Sequence, residues 1–219
     1  MIEPLQPVTP RTLDDAAAMT VPVQANLVAL KVESSRRVKR PSDQHAIGTP
    51  PPGAVMRFRD ALIDRRAIRS YSDAELTLRT RQAWGEFSLL CWMFHVDDPH
   101  RPPNFAEHAS GAPCRCLGVL LEKEAEIARQ LWRLQHEQRL RFDAEARSDP
   151  GFQSDHESAQ MASIRVNGVD VRLCSAEALL PAACETAGML GAVRWLIDDR
   201  RAWGEPGIMA LGTGSDSGT

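Results

Sequence analysis

Apolar positions along the chain mostly keep helical time. From Ala54 to Arg69, Val55, Phe58, Leu62, Ile63 and Ile68 fall roughly on one face of a 3.6-residue repeat, with Arg57, Arg65, Arg66 and Arg69 around the rest. This predicts an amphipathic helix with a basic outer face. Ser72-Asp73-Ala74-Glu75 then reads as a capping box, in which hydroxyl and carboxylate satisfy free backbone N–H groups at a helix start. The apolar residues from Leu76 to Phe94 are too many for one stripe, so this second helix should be buried nearly all round in its later half.

A longer helix is predicted over residues 117–147, where Leu117, Leu120, Leu121, Ile127, Leu131 and Leu134 recur at intervals of three and four. At about 1.5 Å per residue it would reach about 45 Å. Its later part, Gln135-His136-Glu137-Gln138-Arg139, is polar on almost every face and therefore should either project from the body or meet a partner. The last apolar segment follows Ser175, and Pro181 suits a helix start better than an interior. Beyond it, Ala183, Ala187 and Gly191, with Cys184, Gly188 and Ala192 beside them, form small residues spaced by four, which permits a close helix–helix approach.

The period changes to two in one place, Ser163 to Leu173, where Asn167-Gly168 separates alternating apolar runs. Pairing Val166 with Val169 sets Ile164 opposite Val171 on one face and Arg165 opposite Asp170, as an ion pair, on the other. A lone hairpin is marginal in water, so Ile164, Val166, Val169 and Val171 are candidate interface residues, toward the chain's own helices or another chain's sheet. Pro4, Pro7, Pro10 and Pro22 punctuate the start, and Pro50-Pro51-Pro52-Gly53 follows. The expectation is a mainly α protein of about four to five helices with one β-hairpin at 163–173. Residues 1–53 would form an extended arm with short helices, 54–204 the helical domain and 205–219 a polar, Gly-rich tail.

Composition narrows the class rather than the function. The chain has 219 residues, 43% hydrophobic and 25% charged, as an ordinary globular protein has. No apolar run approaches the roughly 20 residues of a membrane-spanning helix, and the start lacks the basic flank and apolar stretch of a signal peptide. Five cysteines, an odd count, read as reduced thiols in a cytoplasmic protein.

The net charge of −3 hides a segregation: residues 36–81 carry 11 basic against 5 acidic side chains, a net of +6, and residues 82–219 a net of −7. Such asymmetry suits a basic segment lying on the protein's own acidic body or on an acidic partner. The sharper alternative is nucleic acid, held by Arg36, Arg37, Lys39 and Arg40 together with Arg57, Arg65, Arg66 and Arg69.

Residues 97–114 form a long irregular connection of the kind that carries function. Around it His95, Asp97, His100, His108, Cys114 and Cys116 are candidate ligands for zinc or another transition metal, although Cys-Arg-Cys leaves one residue between thiols where zinc sites place two to four. Cys116, near His108 in sequence and at an expected helix start, is the candidate nucleophile of a thiol enzyme. Phosphate loops, dinucleotide fingerprints, nucleophile elbows and zinc-protease motifs are all missing. The preferred reading is a protein without a catalytic role or cofactor, a subunit or accessory factor of a larger bacterial or phage-type assembly. Its partners would be proteins, a second copy included, with no membrane. The alternatives are a metal- or thiol-dependent enzyme and a nucleic-acid binder.

Overall fold

The computed structural model describes residues 9–39, 55–58, 61–96, 115–161 and 163–203. The protein is mainly α-helical: α1 (Leu13–Lys39), β1 (Val55–Phe58), β2 (Ala61–Asp64), α2 (Arg65–Ser70), α3 (Asp73–Met93), α4 (Leu117–Phe142), α5 (Pro150–Met161), β3 (Arg165–Val166), β4 (Val169–Asp170) and α6 (Ala176–Ile197). Each sheet is a two-stranded antiparallel hairpin. Among the described residues no helix is long and apolar enough to cross a membrane.

The most apolar helix, α6, is the axis of the fold, with α3 on one side and α4 on another, while α1 packs on α3. The small residues on α6 make this possible, and α3 answers with one of its own. A methyl group added at Gly188 would lie 2.2 Å from the Gln82 carbonyl oxygen, and one at Gly85 would lie 1.9 Å from the Glu185 carbonyl oxygen. At each of these points a glycine of one helix meets a backbone carbonyl of the other, an approach that a side chain on the glycine would block. Gly191, on the same stripe, faces open space.

Ser72 caps α3 as expected, its hydroxyl accepting from the Glu75 N–H at 3.1 Å, and Phe87, Leu89, Leu90, Cys91 and Met93 are buried in its later half. Burial pushes the Cys91 thiol up to about 12, so it stays a protonated apolar group.

Several expectations are corrected. Residues 13–39 are not an arm with a core beginning near residue 54: they form a single 27-residue helix whose Ala16, Val23, Leu27 and Leu30 are core residues. Thr12 and Asp15 cap its start reciprocally, the Asp15 N–H donating to the Thr12 hydroxyl and the Thr12 N–H to the Asp15 carboxylate, both at 3.1 Å. Pro22 lies inside α1 and Pro181 inside α6, each lacking the N–H of one helical hydrogen bond, and burial of the flanking apolar residues outweighs that loss. Residues 54–69 are not one amphipathic helix. Val55 pairs with Asp64 and Phe58 with Ala61 in a second hairpin, and only Arg65–Ser70 is helical. Their apolar residues fit a helical face and a pleat equally, so periodicity alone did not separate the two. The long helix ends at Phe142, not near residue 147.

The chain is stitched where it returns to its start. Arg11 donates to the carbonyls of Asp199 at 2.6 Å and Arg201 at 2.7 Å, and its guanidinium lies 4.4 Å from the centre of the Trp195 ring. The Asp199 N–H donates to the Thr9 carbonyl at 2.9 Å.

Candidate functional site

The densest polar chemistry in the described residues lies on the later half of α4. Arg133, Glu137 and Arg141 stand four apart and so line one face of the helix. Arg133 Nη1 is 2.8 Å from Glu137 Oε2, and Arg141 Nη2 is 3.0 Å from Glu137 Oε1, with the Arg133 and Glu137 side chains only 2% and 5% exposed. One buried carboxylate thus bridges a buried guanidinium, Arg133, and a half-buried one, Arg141, and removing it would leave Arg133 buried without a counter-charge. Arg141 also donates to the carbonyls of Val171 at 3.0 Å and Arg172 at 3.1 Å, and to that of Cys174. Its guanidinium thereby fastens the chain that leaves the 163–173 hairpin onto α4.

One turn away, the buried His136 ring stacks on Phe152 of α5, with centroids 4.3 Å apart and planes 11° from parallel. His136 Nε2 lies 3.1 Å from His156 Nδ1, also on α5. Trp132 borders the same ring at 5.6 Å, and the Arg139 guanidinium lies 5.2 Å from the centre of Phe152. Burial, then the positive charge of Arg133, then His156, hold the His136 imidazole below its ordinary range against the pull of Glu137 and Asp155. The polar stretch 135–139 neither projects nor waits for a partner on this face, because the chain's own α5 covers it.

Three other glutamates show how partners decide charge. Glu33 of α1 is buried with Arg36 at 2.8 Å and Arg37 at 3.1 Å: burial opposes its charge, but the two guanidinium groups outweigh burial and hold the carboxyl below its usual value. Glu86 of α3 accepts from the Gln82 amide at 3.0 Å, which does not offset burial, and its carboxyl is raised to about 7. Glu185 of α6 is likewise raised by burial, with Arg81 at 3.5 Å pulling the other way.

Of the residues that the sequence grouped, the structure describes only some. Of the metal candidates, His95 is exposed at a positive φ of 56° after α3, and Cys116 is an exposed thiol at the N-cap of α4. Asp97, His100, His108 and Cys114 lie outside the described residues. Among the described residues no three His, Cys, Asp or Glu side chains converge as a metal ion requires.

In the basic segment, Arg36 and Arg37 are the last-turn partners of Glu33, and Arg37 also donates to the carbonyls of Arg69 at 3.1 Å and Tyr71 at 2.9 Å and to Asp73 at 2.6 Å. Arg37 is therefore a clasp between α1 and the start of α3. Arg69 lends its carbonyl to that clasp. Lys39 ends α1, Arg57 lies on β1 and Arg65 and Arg66 open α2, while Arg40 lies outside the described residues.

The 163–173 hairpin has the expected register, Val166 opposite Val169 and Arg165 opposite Asp170, turned by Asn167 at φ 51° and Gly168 at φ 81°. Each strand has two residues, and Val171–Leu173 winds into a 3-10 turn. The expected Arg165–Asp170 ion pair gives way to one with Arg172 at 2.8 Å, because Arg172 N–H and guanidinium both reach the Asp170 carboxylate within the turn. Val171 is fully buried, Ile164 and Val166 pack against the core, and Val169 faces outward. Of the four interface candidates, then, three serve the chain's own helices.

Sequence reasoning missed the Arg133–Glu137–Arg141 ladder, the His136–His156 pair and the buried Glu33. The i, i+4 alternation of Arg, Glu and Arg was a usable signal for the first. The histidine pair, twenty residues apart on two helices, had none. Comparison of the chain with known protein families, with curated proteins and with solved structures finds no match.

Proposed function

We propose that this chain acts through protein contacts, as a non-enzymatic subunit or accessory factor of a larger cytoplasmic assembly. The observation that supports the reading best is the C-terminal end of α4. Arg141 holds the carbonyls of Arg172 and Cys174, so Phe142, next to it in the chain, and Leu173, between those carbonyls, are kept at one end of the molecule with 65% and 79% of their surface exposed. Large apolar groups held outward on a fixed backbone are the material of interface cores. Exposed Arg139 and Arg147 on the same stretch favour a partner with an acidic rim. Leu121 and Trp132, eleven residues apart and so on one face of α4, add a second exposed apolar pair. The four described cysteines are free thiols, which suits a reducing compartment.

Replacing Phe142 and Leu173 together by Ser tests this. The melting temperature should stay within the small change expected of surface positions, while self-association or retention of a copurifying protein, followed by mass in solution, falls at least tenfold. An unaltered mass for wild type and variant alike, at the monomer value across concentration, overturns the reading.

A further inference from the structure

Strand β3 has one edge bonded to β4 and one edge on a groove. The Val171 N–H donates to the Ile164 carbonyl at 3.0 Å, so Ile164 and Val171 form a hydrogen-bonded pair, and the next pair along the ladder, Arg165 with Asp170, is a non-bonded one. The backbone N–H and C=O of Arg165 therefore point away from β4. No backbone hydrogen bond among the described residues outside the β3–β4 ladder uses either group. Beside them lies a groove of about 440 Å³, bordered by residues 163–167 but by no residue of β4, and walled by Leu134 of α4 and by Glu185 and Met189 of α6. Ile164 and Val166 pack inward, so alternation sends the Arg165 side chain to the opposite face and leaves its backbone to the groove. Glu185 is the one acidic residue among those that line it. Its half-buried carboxylate reaches Arg81 only at 3.5 Å, and burial raises it above its ordinary value, so its charge is incompletely compensated.

We propose that this groove receives an extended segment of a partner protein, which adds a strand to the free edge of β3 at Arg165 and sets a basic side chain against Glu185. It rests on the reading that the chain acts through protein contacts, and adds to the Phe142–Leu173 end a second surface of different chemistry. An unpaired strand edge is a template for another backbone, whose hydrogen bonds supply affinity while pockets for alternate side chains supply specificity. Inward-facing side chains of the guest, two residues apart, meet the apolar walls at Leu134 and Met189 and the carboxylate of Glu185. A small apolar molecule in the same place would strip water from the Arg165 peptide groups without replacing its bonds.

The test titrates the isotope-labelled full chain with the peptide acetyl-Thr-Val-Thr-Lys-Thr-Val-Thr-amide, whose two Val and central Lys share one face when extended, and follows the amide resonances. Binding should saturate below about 1 mM, move the Arg165 amide and slow its hydrogen exchange. Arg165→Pro removes the outward N–H but none of the β3–β4 bonds, since proline is tolerated at such edge positions, and should weaken binding about tenfold at an unchanged melting temperature. Glu185→Gln should abolish the preference for this peptide over one with Glu at its centre. A probe N-methylated along its bonding edge keeps every side chain and should not bind, a control that needs no variant of the protein. The proposal is overturned by the absence of saturable shifts, by an N-methylated probe that binds equally, which marks a site for side chains alone, or by self-association that Arg165→Pro abolishes, which gives the edge to a second copy. The titration involves neither Phe142 nor Leu173: its failure with self-association intact strikes the groove alone, and the reverse result strikes the Phe142–Leu173 end alone.

Discussion

The α3–α6 crossing and the α4–α5 contact are two solutions to packing helices, and they fail in opposite ways. At the crossing, Gly85 and Gly188 each meet a backbone carbonyl of the other helix, so the approach of the two helices is decided by volume. Between α4 and α5, rings and charges meet through specific hydrogen bonds, so the contact is decided by pairing and depends on protonation. The first makes a rigid frame. The second makes a contact that holds only while each partner is in place.

The largest effect should come from breaking the paired region. Glu137→Leu leaves Arg133 buried without its counter-charge and frees the Arg141 clamp, and urea unfolding should show a loss of about 3 to 5 kcal/mol. A variant within 1 kcal/mol of wild type would mean that the two arginines find water, and that the ladder is less buried than its geometry indicates. Next comes the frame. Gly85→Ala adds one methyl group against a backbone carbonyl that cannot turn aside, and the forced separation of α3 and α6 should cost about 2 to 3 kcal/mol despite the better helix propensity of Ala. If stability rises instead, the helices are farther apart than described.

The smallest effect runs the other way. Glu86 has its folded-state carboxyl raised to about 7, so the folded form binds more protons than the unfolded one between its ordinary value of 4.5 and 7. Stability present at low pH is therefore lost as pH rises through that window. Glu86→Gln should remove this slope and stabilise the protein by about 2 kcal/mol at pH 8, by thermal or urea unfolding. Identical pH profiles for the two proteins would place Glu86 in water.

The contrast also marks how far the residues could be read in advance. Ser72 specifies its helix start by local hydrogen bonding, although the Glu75 carboxylate pairs with Arg79 instead of closing the capping box, and Asn167-Gly168 specifies its turn by positive φ, so both were legible. The stripe through Gly188 announced a close approach, though not that Gly85 would meet it or that Gly191 would face open space. Pro22 misled, because proline's local cost was visible while the burial that outweighs it was not. The metal candidates were gathered by nearness in sequence, and four of the six lie outside the described residues, whereas His136 and His156 meet from two different helices. Arg37 looked like a solvated cation for the same reason: its partners Arg69, Tyr71 and Asp73 lie more than thirty residues away.

Sequence by itself determined the class of fold, the limits of α3, the register of the 163–173 hairpin and the small-residue face of α6, since each rests on forces acting within a few residues or on a one-dimensional repeat. Tertiary structure alone decided that α1 joins the core, that residues 54–69 divide into strands and a short helix, and that His136 meets His156. It also decided how readily each buried glutamate gives up its proton: Glu33 has two arginines and is held below its usual value, whereas Glu86 has only an amide and keeps its proton until about pH 7. A charged side chain's behaviour depends on which groups share its low-dielectric surroundings, and that neighbourhood exists only once distant segments have packed together.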